Sequence, residues 1–362
     1  MPEPKVSLVF PCYHAGKHMP HVLDDLQAQT FKDFEAILVN DGDDSQLEAM
    51  ETIAAMDSRI RIVSLPHNRG VAAARNAGTD AATTEWVTYP DPDDRLGPNY
   101  IKSLYEVSNG TDVDMVCGGY TKFIVEENKE EQHSIHIESN LRTMDIASAY
   151  ELMLQPIAYP YAWNKLYSIS LVRENMLHQD ESIKTSQDYA FNMVYFMYVK
   201  KVGLTQNCDY TYYKYPDGSN SRRYHNRLMQ LWITITDLRT QFHQHIGWTE
   251  QQVKQYKQKD LCMAALKLCK NICAYDSSLT YRQKVKEIQT EIMDNQEVVN
   301  AVIQADFGND HIWNLHQRLI SSGNARLTAY TLGVLYSIKR RLPNTYLRFR
   351  PLFRSTNINN IS

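Results

Sequence analysis

The first 120 residues alternate between two apolar periods. Short continuous apolar runs at Val6–Phe10, Glu35–Val39, Ile60–Leu65, Glu85–Tyr89 and Asp114–Cys117 read as strands. Between them, Met19–Gln29, Gln46–Met56, Val71–Ala82 and Asn99–Val107 carry apolar residues at three- and four-residue spacing, the helical pattern. This β-α-β-α order predicts an α/β fold with a mostly parallel sheet flanked by helices. From about residue 119 the pattern changes. Tyr120–Val125 and Ser134–Ile137 read as an antiparallel ribbon separated by the solvated run Glu126–Glu131, and Asp145–Leu154 as a helix. "TSQDYAFNMVYFMYVKKV" follows as an amphipathic helix that begins near Gln187, with Ser186 as its N-cap. Beyond Arg227 the chain reads as helical throughout, over Leu228–His243, Thr249–Ile272, Thr280–Asp294 and Val298–Ala305.

In a parallel α/β sheet, ligands bind beyond the carboxyl ends of the strands. Those ends carry Pro11-Cys12-Tyr13-His14, then Asn40-Asp41-Gly42-Asp43-Asp44, then Pro90-Asp91-Pro92-Asp93-Asp94. The sheet is thus expected to deliver six carboxylates to one rim. Two unit charges 4 Å apart repel by about 4 kcal/mol at an effective dielectric near 20. A cluster of this kind calls for protonation, separation or a cation. The first strand is not followed by a Gly-x-Gly-x-x-Gly turn, so a phosphate ligand here would need a divalent metal, and carboxylate oxygens suit Mg²⁺ or Mn²⁺. The competing reading is structural: Asp43 or Asp44 can cap the helix that starts near Gln46.

Composition narrows the class. With 43% hydrophobic and 22% charged residues, the 362-residue chain is of globular type, large enough for more than one domain. A net charge of −4 gives no global field for nucleic acid. Six scattered cysteines without a Cys-x-x-Cys pair favour free thiols in a cytoplasmic protein. "MPEPKVSLVF" has no secretory signal pattern, and no run of eighteen apolar residues occurs. The last 52 residues, His311–Ser362, contain no Asp or Glu, yet carry Arg318, Arg326, Lys339, Arg340, Arg341, Arg348, Arg350 and Arg354 among Leu, Tyr and Phe. Such a basic amphipathic tail suits an anionic membrane surface. A helix packed on its own protein with a basic outer face is the other reading, and both stay open.

The motifs resemble family 2 glycosyltransferases of GT-A fold. The resemblance rests on Pro11-Cys12-Tyr13-His14, Gln29-Thr30-Phe31, Val39-Asn40-Asp41-Gly42-Asp43, Asn68-Arg69-Gly70, Ala74-Arg75-Asn76-Ala77-Gly78 and Asp91-Pro92-Asp93-Asp94, in that order over about 90 residues. "WNKLYS", "QDYAFN" and "YYKYPDGSNSR" match the family more loosely. The resemblance implies inverting transfer of a sugar from a nucleoside diphosphate donor, UDP-sugars favoured, to an acceptor hydroxyl in surface or capsular polysaccharide synthesis. It assigns donor binding to Pro11, Tyr13, Asp41, Asp43, Arg75, Asp91 and Lys165, and a Mn²⁺ or Mg²⁺ site to Asp91, Asp93 and Asp94. Asp188 becomes the general base, and Trp163 a platform for the acceptor sugar. Without the resemblance, Asp188 is equally well a helix first-turn carboxylate, and Trp163 and Lys165 a core Trp beside a surface Lys. Gln187, His14 and the Asp43-Asp44 pair depart from the family's Glu, Asn and Ser-Thr.

The expected organisation is a donor-binding domain over 1–226, a helical domain over 227–324 and the basic tail over 325–362. The expected acceptor is a glycan, free or lipid-linked. Expected location is the cytoplasm, with peripheral contact to the inner membrane face through the tail and self-association through the helical region. A nucleotidyltransferase using the same metal rim and a non-catalytic scaffold are the alternatives. The first lacks a glycine-rich basic loop near the first strand. The second has no need to keep a repulsive acidic cluster.

Overall fold

The computed structural model describes residues 3–126, 129–139, 141–154, 157–214, 228–274, 279–308 and 310–341. The chain divides into two units, Met1–Asp217 and Gly218–Ser362. In the first, strands β1 (Val6–Cys12), β2 (Phe34–Asn40), β3 (Ile60–Ser64), β4 (Trp86–Thr88), β6 (Met115–Gly118), β9 (Thr143–Asp145), β10 (Lys165–Ser168) and β11 (Lys201–Thr205) form one sheet in the order β3-β2-β1-β4-β10-β6-β11-β9. A smaller sheet, β5-β12-β7-β8, uses β5 (Arg95–Leu96), β7 (Tyr120–Glu126), β8 (Lys129–Ile135) and β12 (Tyr210–Lys214). The helices of this unit are α1 (Met19–Ala28), α2 (Leu47–Met56), α3 (Val71–Ala81), α4 (Tyr100–Ser108), α5 (Ile146–Leu154), α6 (Ile169–Glu174) and α7 (Gln187–Phe196).

The expected parallel core is present: β1 runs parallel to both β2 and β4, and β2 to β3. Every residue of β1 and β2 is buried, as continuous apolar strands covered on both faces should be. Two strands depart from the β-α alternation, β9, which lies antiparallel to β11 at the sheet edge, and β10. "KLYS" forms β10, which inserts antiparallel between β4 and β6. Four residues surrounded by aromatics carry too little periodicity to announce a central strand. The Tyr120–Val125 ribbon forms as β7 paired with β8, but β8 starts at Lys129, so the acidic run belongs largely to the hairpin itself.

Close approach of α3 to β1 fixes the geometry around the rim. A Cβ on Gly78 would lie 2.2 Å from Val9 Cγ1, so only glycine permits this packing. Gly42, at φ +68°, lets the turn after β2 press against the 67–70 segment, where a Cβ would meet the His67 carbonyl carbon at 2.2 Å.

The second unit is helical: α8 (Leu228–His245), α9 (Glu250–Ala274), α10 (Tyr281–Ile288), α11 (Gln296–Gln304), α12 (His311–Ser321) and α13 (Ala325–Arg341). Its core gathers Leu261, Ala265, Cys269, Ile272, Val298, Val302 and Leu332. Thr280 and Gln283 close a capping box at the start of α10, and five residues in a wider π turn, Gln289–Met293, end it. Among the described residues no helix is long and apolar enough to cross a membrane. Residues 342–362, with Arg348, Arg350 and Arg354, lie outside the described residues, as do 215–222 of "YYKYPDGSNSR".

His243 sits 1% exposed on α8, stacked 3.9 Å from Trp248, and burial beside Arg239 pushes its pKa down to about 3. The unfolded chain protonates this imidazole near pH 6.5 and the folded chain does not. Its contribution is therefore complete above pH 6.5 and is lost as pH falls toward 3. At pH 5 the loss should be about 2 kcal/mol. Urea unfolding followed by tryptophan fluorescence at pH 7.5 and 5.0 checks this. His243→Gln should remove that share of the pH difference, and an unchanged difference in the variant would refute the assignment.

Candidate active site

The rim forms from the ends of β1, β2 and β4 and the N-terminal parts of α3 and α7. Of the six predicted carboxylates, three are tied into loops. Asp41 is 2% exposed and accepts from the backbone N–H groups of Arg69 (2.8 Å) and Gly70 (2.8 Å). Asp43 caps the turn at Asp44–Gln46: Oδ1 accepts from Ser45 N and Oγ, and Oδ2 from His14 N at 2.9 Å and pairs with His14 Nδ1 at 2.8 Å. These contacts, Ser45 first, hold its carboxyl below the usual range. Asp94 is 6% exposed, accepting from Tyr210 Oη at 2.6 Å and Tyr213 N at 2.8 Å, and burial raises its pKa well above the ordinary value. Hydrogen bonds hold these three carboxylates in place, but at Asp94 burial and then the charges of Asp91 and Asp93 outweigh them. Asp41 and Asp43 are hydrogen-bonded into their loops, and Asp94 anchors the acidic loop to Tyr210 and Tyr213.

Asp91 and Asp93 remain on the open side, and Asp44 is exposed. Asp91 Oδ1 accepts from Arg75 Nη2 at 2.9 Å, and its backbone N–H reaches Tyr210 Oη at 3.2 Å. Asp93 meets solvent, yet its packed surroundings and the Asp91 charge raise its pKa to about 6. Two hard oxygen donors at i and i+2 whose charges oppose each other fit a divalent cation. Among the described residues no group of three His, Cys, Asp or Glu side chains encloses a metal by itself. The remaining ligands would be diphosphate and water oxygens, the usual habit of Mg²⁺.

Arg75, on α3, is 4% exposed. One nitrogen holds Asp91, while its buried Nε and Nη1 have no protein partner. Burial opposes its charge, but Asp91 and then Asp188 sustain it. Asp188 lies in the first turn of α7 and accepts from Tyr189 N at 2.9 Å. Part of it meets solvent, but desolvation raises its pKa, with Arg75 pulling the other way. Ser186, the residue before Gln187, stands at the N-cap in a left-handed conformation at φ 58° and makes no side-chain cap bond. His14, next to Tyr13, is left-handed too, at φ 53°. Among the described residues, two of the four non-glycine positive-φ residues therefore lie within two positions of Tyr13 and Asp188. Such strain concentrates at functional sites. Tyr13 is 49% exposed and open to a stacking ligand, whereas Pro11 is buried within β1.

Two more of the expected site residues are buried. Trp163 is 3% exposed and stacks on Tyr210 (4.3 Å, 5°) and Tyr161 (4.7 Å, 14°), so its ring is packed in the core. Lys165 is 0% exposed, and its ammonium donates to Ala158 O, Tyr161 O and Asn164 Oδ1, leaving none of its three N–H bonds for a phosphate. Lys165→Met should destabilise the fold by about 3 kcal/mol, because it strands three buried acceptors. Donor KM at a permissive temperature should not change. Denaturant unfolding and steady-state kinetics separate these effects, and a raised KM with intact stability would restore the phosphate role. Tyr210, which braces both Asp91 and Asp94, was not singled out from the sequence. The tyrosines near it read as packing, and nothing in their spacing marks one that turns toward the rim.

Comparisons with known proteins agree with this architecture. Residues 7–174 match the family model "Glycosyl transferase family 2". The glycosyltransferase GlyA of Streptococcus pneumoniae is 26% identical over 263 residues, 71% of this chain and 37% of that protein, so this chain spans little more than a third of GlyA's length. The uncharacterized glycosyltransferase EpsJ of Bacillus subtilis is 26% identical over 307 residues, covering 83% of this chain and 88% of EpsJ. Among solved structures, the 1-349 portion of S. aureus TarS in complex with UDP superposes with a TM-score of 0.59 at 16% identity, covering 92% of this chain and 91% of TarS 1-349, a likeness of fold. Residues 7–174 thus form a family 2 glycosyltransferase domain, and the sheet order and the likeness to TarS give it the GT-A fold.

Proposed function

We propose that this protein is a metal-dependent inverting glycosyltransferase that moves a sugar from a nucleoside diphosphate-sugar, UDP-sugars favoured, to a hydroxyl of a cell-surface polysaccharide acceptor. The observation that carries the reading is Arg75, buried between Asp91 and Asp188 with two guanidinium nitrogens unmatched by protein. One cation thereby links the acidic loop to the base and keeps donor capacity for an incoming anion. A buried guanidinium with spare N–H groups is suited to diphosphate oxygens.

In this reading Tyr13 stacks on the nucleobase, and Arg75 steadies both Asp91 and the diphosphate. Asp188 takes the proton of the acceptor hydroxyl as its oxygen attacks the anomeric carbon from the face opposite the leaving group. The bond from that carbon to the diphosphate oxygen breaks, and the nucleoside diphosphate departs with the electron pair. A divalent ion held by Asp91 and Asp93 would neutralise the charge growing on the diphosphate. The raised pKa of Asp188 suits it to accept a proton. UDP is favoured because the TarS fold, similar to this one, binds it.

The test is a binding and hydrolysis screen of UDP-, GDP- and dTDP-sugars by calorimetry and product release, with and without Mn²⁺. Binding of one nucleotide class that strengthens at least about tenfold with Mn²⁺ is expected. If no nucleotide-sugar binds in either condition, the reading is wrong.

A further inference from the structure

The helical unit carries a feature that sugar transfer does not use. Helix α13 has two apolar stripes. Ala325, Ala329, Leu332 and Tyr336 face the core, so the packed-helix reading of this segment holds for that side. Leu327, Tyr330, Val334 and Ile338, spaced three and four apart, stay 48%, 64%, 44% and 40% exposed. A soluble helix ordinarily gives that face to polar residues.

The exposed stripe borders an apolar cleft between α10 and α13, lined by Tyr281, Tyr330, Val334 and Ile338. Gly333 lines this cleft, and a Cβ there would meet nothing within 4 Å. Glycine weakens a helix interior, and no neighbour here requires it. Its effect is to leave the cleft open. A second cleft runs along α10 and past its C-terminal end and meets the start of α13, lined by Arg282, Lys286 and Arg326 with Ser322 and Asn324 and with no carboxylate among its lining residues. Tyr281 Oη donates to Arg326 O at 3.0 Å and pins the two helix starts together. An apolar cleft and a basic cleft thus adjoin on one pair of helices. No acidic residue occurs from His311 onward to oppose an anionic partner.

We infer that the α10–α13 face docks on an anionic lipid surface, with phosphate headgroups at Arg282, Lys286 and Arg326 and the apolar stripe of α13 in the acyl boundary. Basic residues beside aromatic and aliphatic ones on a single face are what interfacial binding requires. The inference does not rest on the glycosyltransferase reading, and it places the contact on folded helices that precede residue 342.

The full chain is sedimented with vesicles of phosphatidylcholine alone and of phosphatidylcholine mixed equally with phosphatidylglycerol. Wild type should bind the anionic vesicles and not the neutral ones, and less so in high salt. Tyr330→Ser with Val334→Ser and Ile338→Ser should weaken binding at least about tenfold, and so should Arg282→Gln with Arg326→Gln. Circular dichroism and an unchanged thermal unfolding midpoint show that each variant is folded. Anionic binding by both variants equal to wild type would overturn the proposal and assign the contact to the segment beyond Arg341. Equal binding to both vesicle types, or to neither, would overturn it too. So would full competition by millimolar inorganic phosphate, which would mark a small-anion site, or a monomer–dimer shift on gel filtration in the triple variant with vesicle binding unchanged.

Discussion

Asp93→Asn should lower sugar transfer at least about a thousandfold and abolish the Mn²⁺-dependent part of donor binding. The argument begins with the acidic loop. Asp94 is locked by Tyr210 and Tyr213, and Asp91 shares a charge with Arg75, whereas Asp93 makes no ion pair among the described residues. Its raised pKa reports desolvation and a like-charged neighbour, which the more weakly acting Lys17 does not offset. An asparagine keeps the shape and removes the charge. If a divalent ion stabilises the departing diphosphate, its loss should cost several kcal/mol of transition-state stabilisation, and about 4 kcal/mol is a factor of a thousand. Asp94→Asn is the contrasting variant. Its side chain meets protein donors, so it should act through loop geometry, lowering thermal stability along with activity. Calorimetry of UDP binding across a Mn²⁺ series, run beside initial rates, makes the comparison. Donor binding by Asp93→Asn that responds to Mn²⁺ as wild type does would remove this residue from the metal site.

Much of the first unit could be read from the chain because its signals are local. Continuous apolar runs gave β1 and β2, helical spacing gave α1 to α4, and the turn residues after each strand marked one rim. Failures occurred where side chains of one chemical type have two uses. Aspartate is both a ligand and a loop brace, and no pattern of spacing separates Asp41, which holds two backbone N–H groups, from Asp91, which faces the open rim. The burial of Lys165 was illegible for a related reason. A lysine beside aromatics reads as a surface cation, and only the tertiary fold brings the carbonyls of Ala158 and Tyr161 to its ammonium.

Two departures from the family pattern prove to be one. His14 stands where the family has Asn, and Asp43 where it has Ser, and the two side chains bond to each other at 2.8 Å. Asp43 also accepts from the backbone of His14, whose left-handed conformation is thereby braced beside Tyr13. A substitution at either position alone would leave a charge or a strained turn without its counterpart. Neither motif, read singly along the sequence, shows that coupling.

Asp188→Asn should reduce transfer by about a thousandfold while donor affinity stays within about twofold. A positioned general base contributes roughly a hundred to ten thousandfold, and an amide cannot accept the acceptor proton. Asp188 opens α7, where the helix dipole favours its charge, but desolvation dominates and raises its pKa above the ordinary carboxylate value. The base must be ionised to act. The acid limb of kcat/KM should accordingly fall at higher pH than a solvated aspartate would give. Arg75 and Lys165 are the neighbouring cations that lower this pKa, and Asp91 is the anion that raises it. Arg75→Gln should move the acid limb to still higher pH, since it removes the stronger of the two cationic influences. Rate profiles over pH for wild type and Arg75→Gln, with calorimetric donor binding for Asp188→Asn, test both statements. A donor affinity that collapses in Asp188→Asn would mean that this carboxylate holds the nucleotide-sugar and that the base lies elsewhere. An acid limb that ignores Arg75→Gln would separate Arg75 from Asp188 electrostatically, and with it the observation that joins the acidic loop and the base into one site.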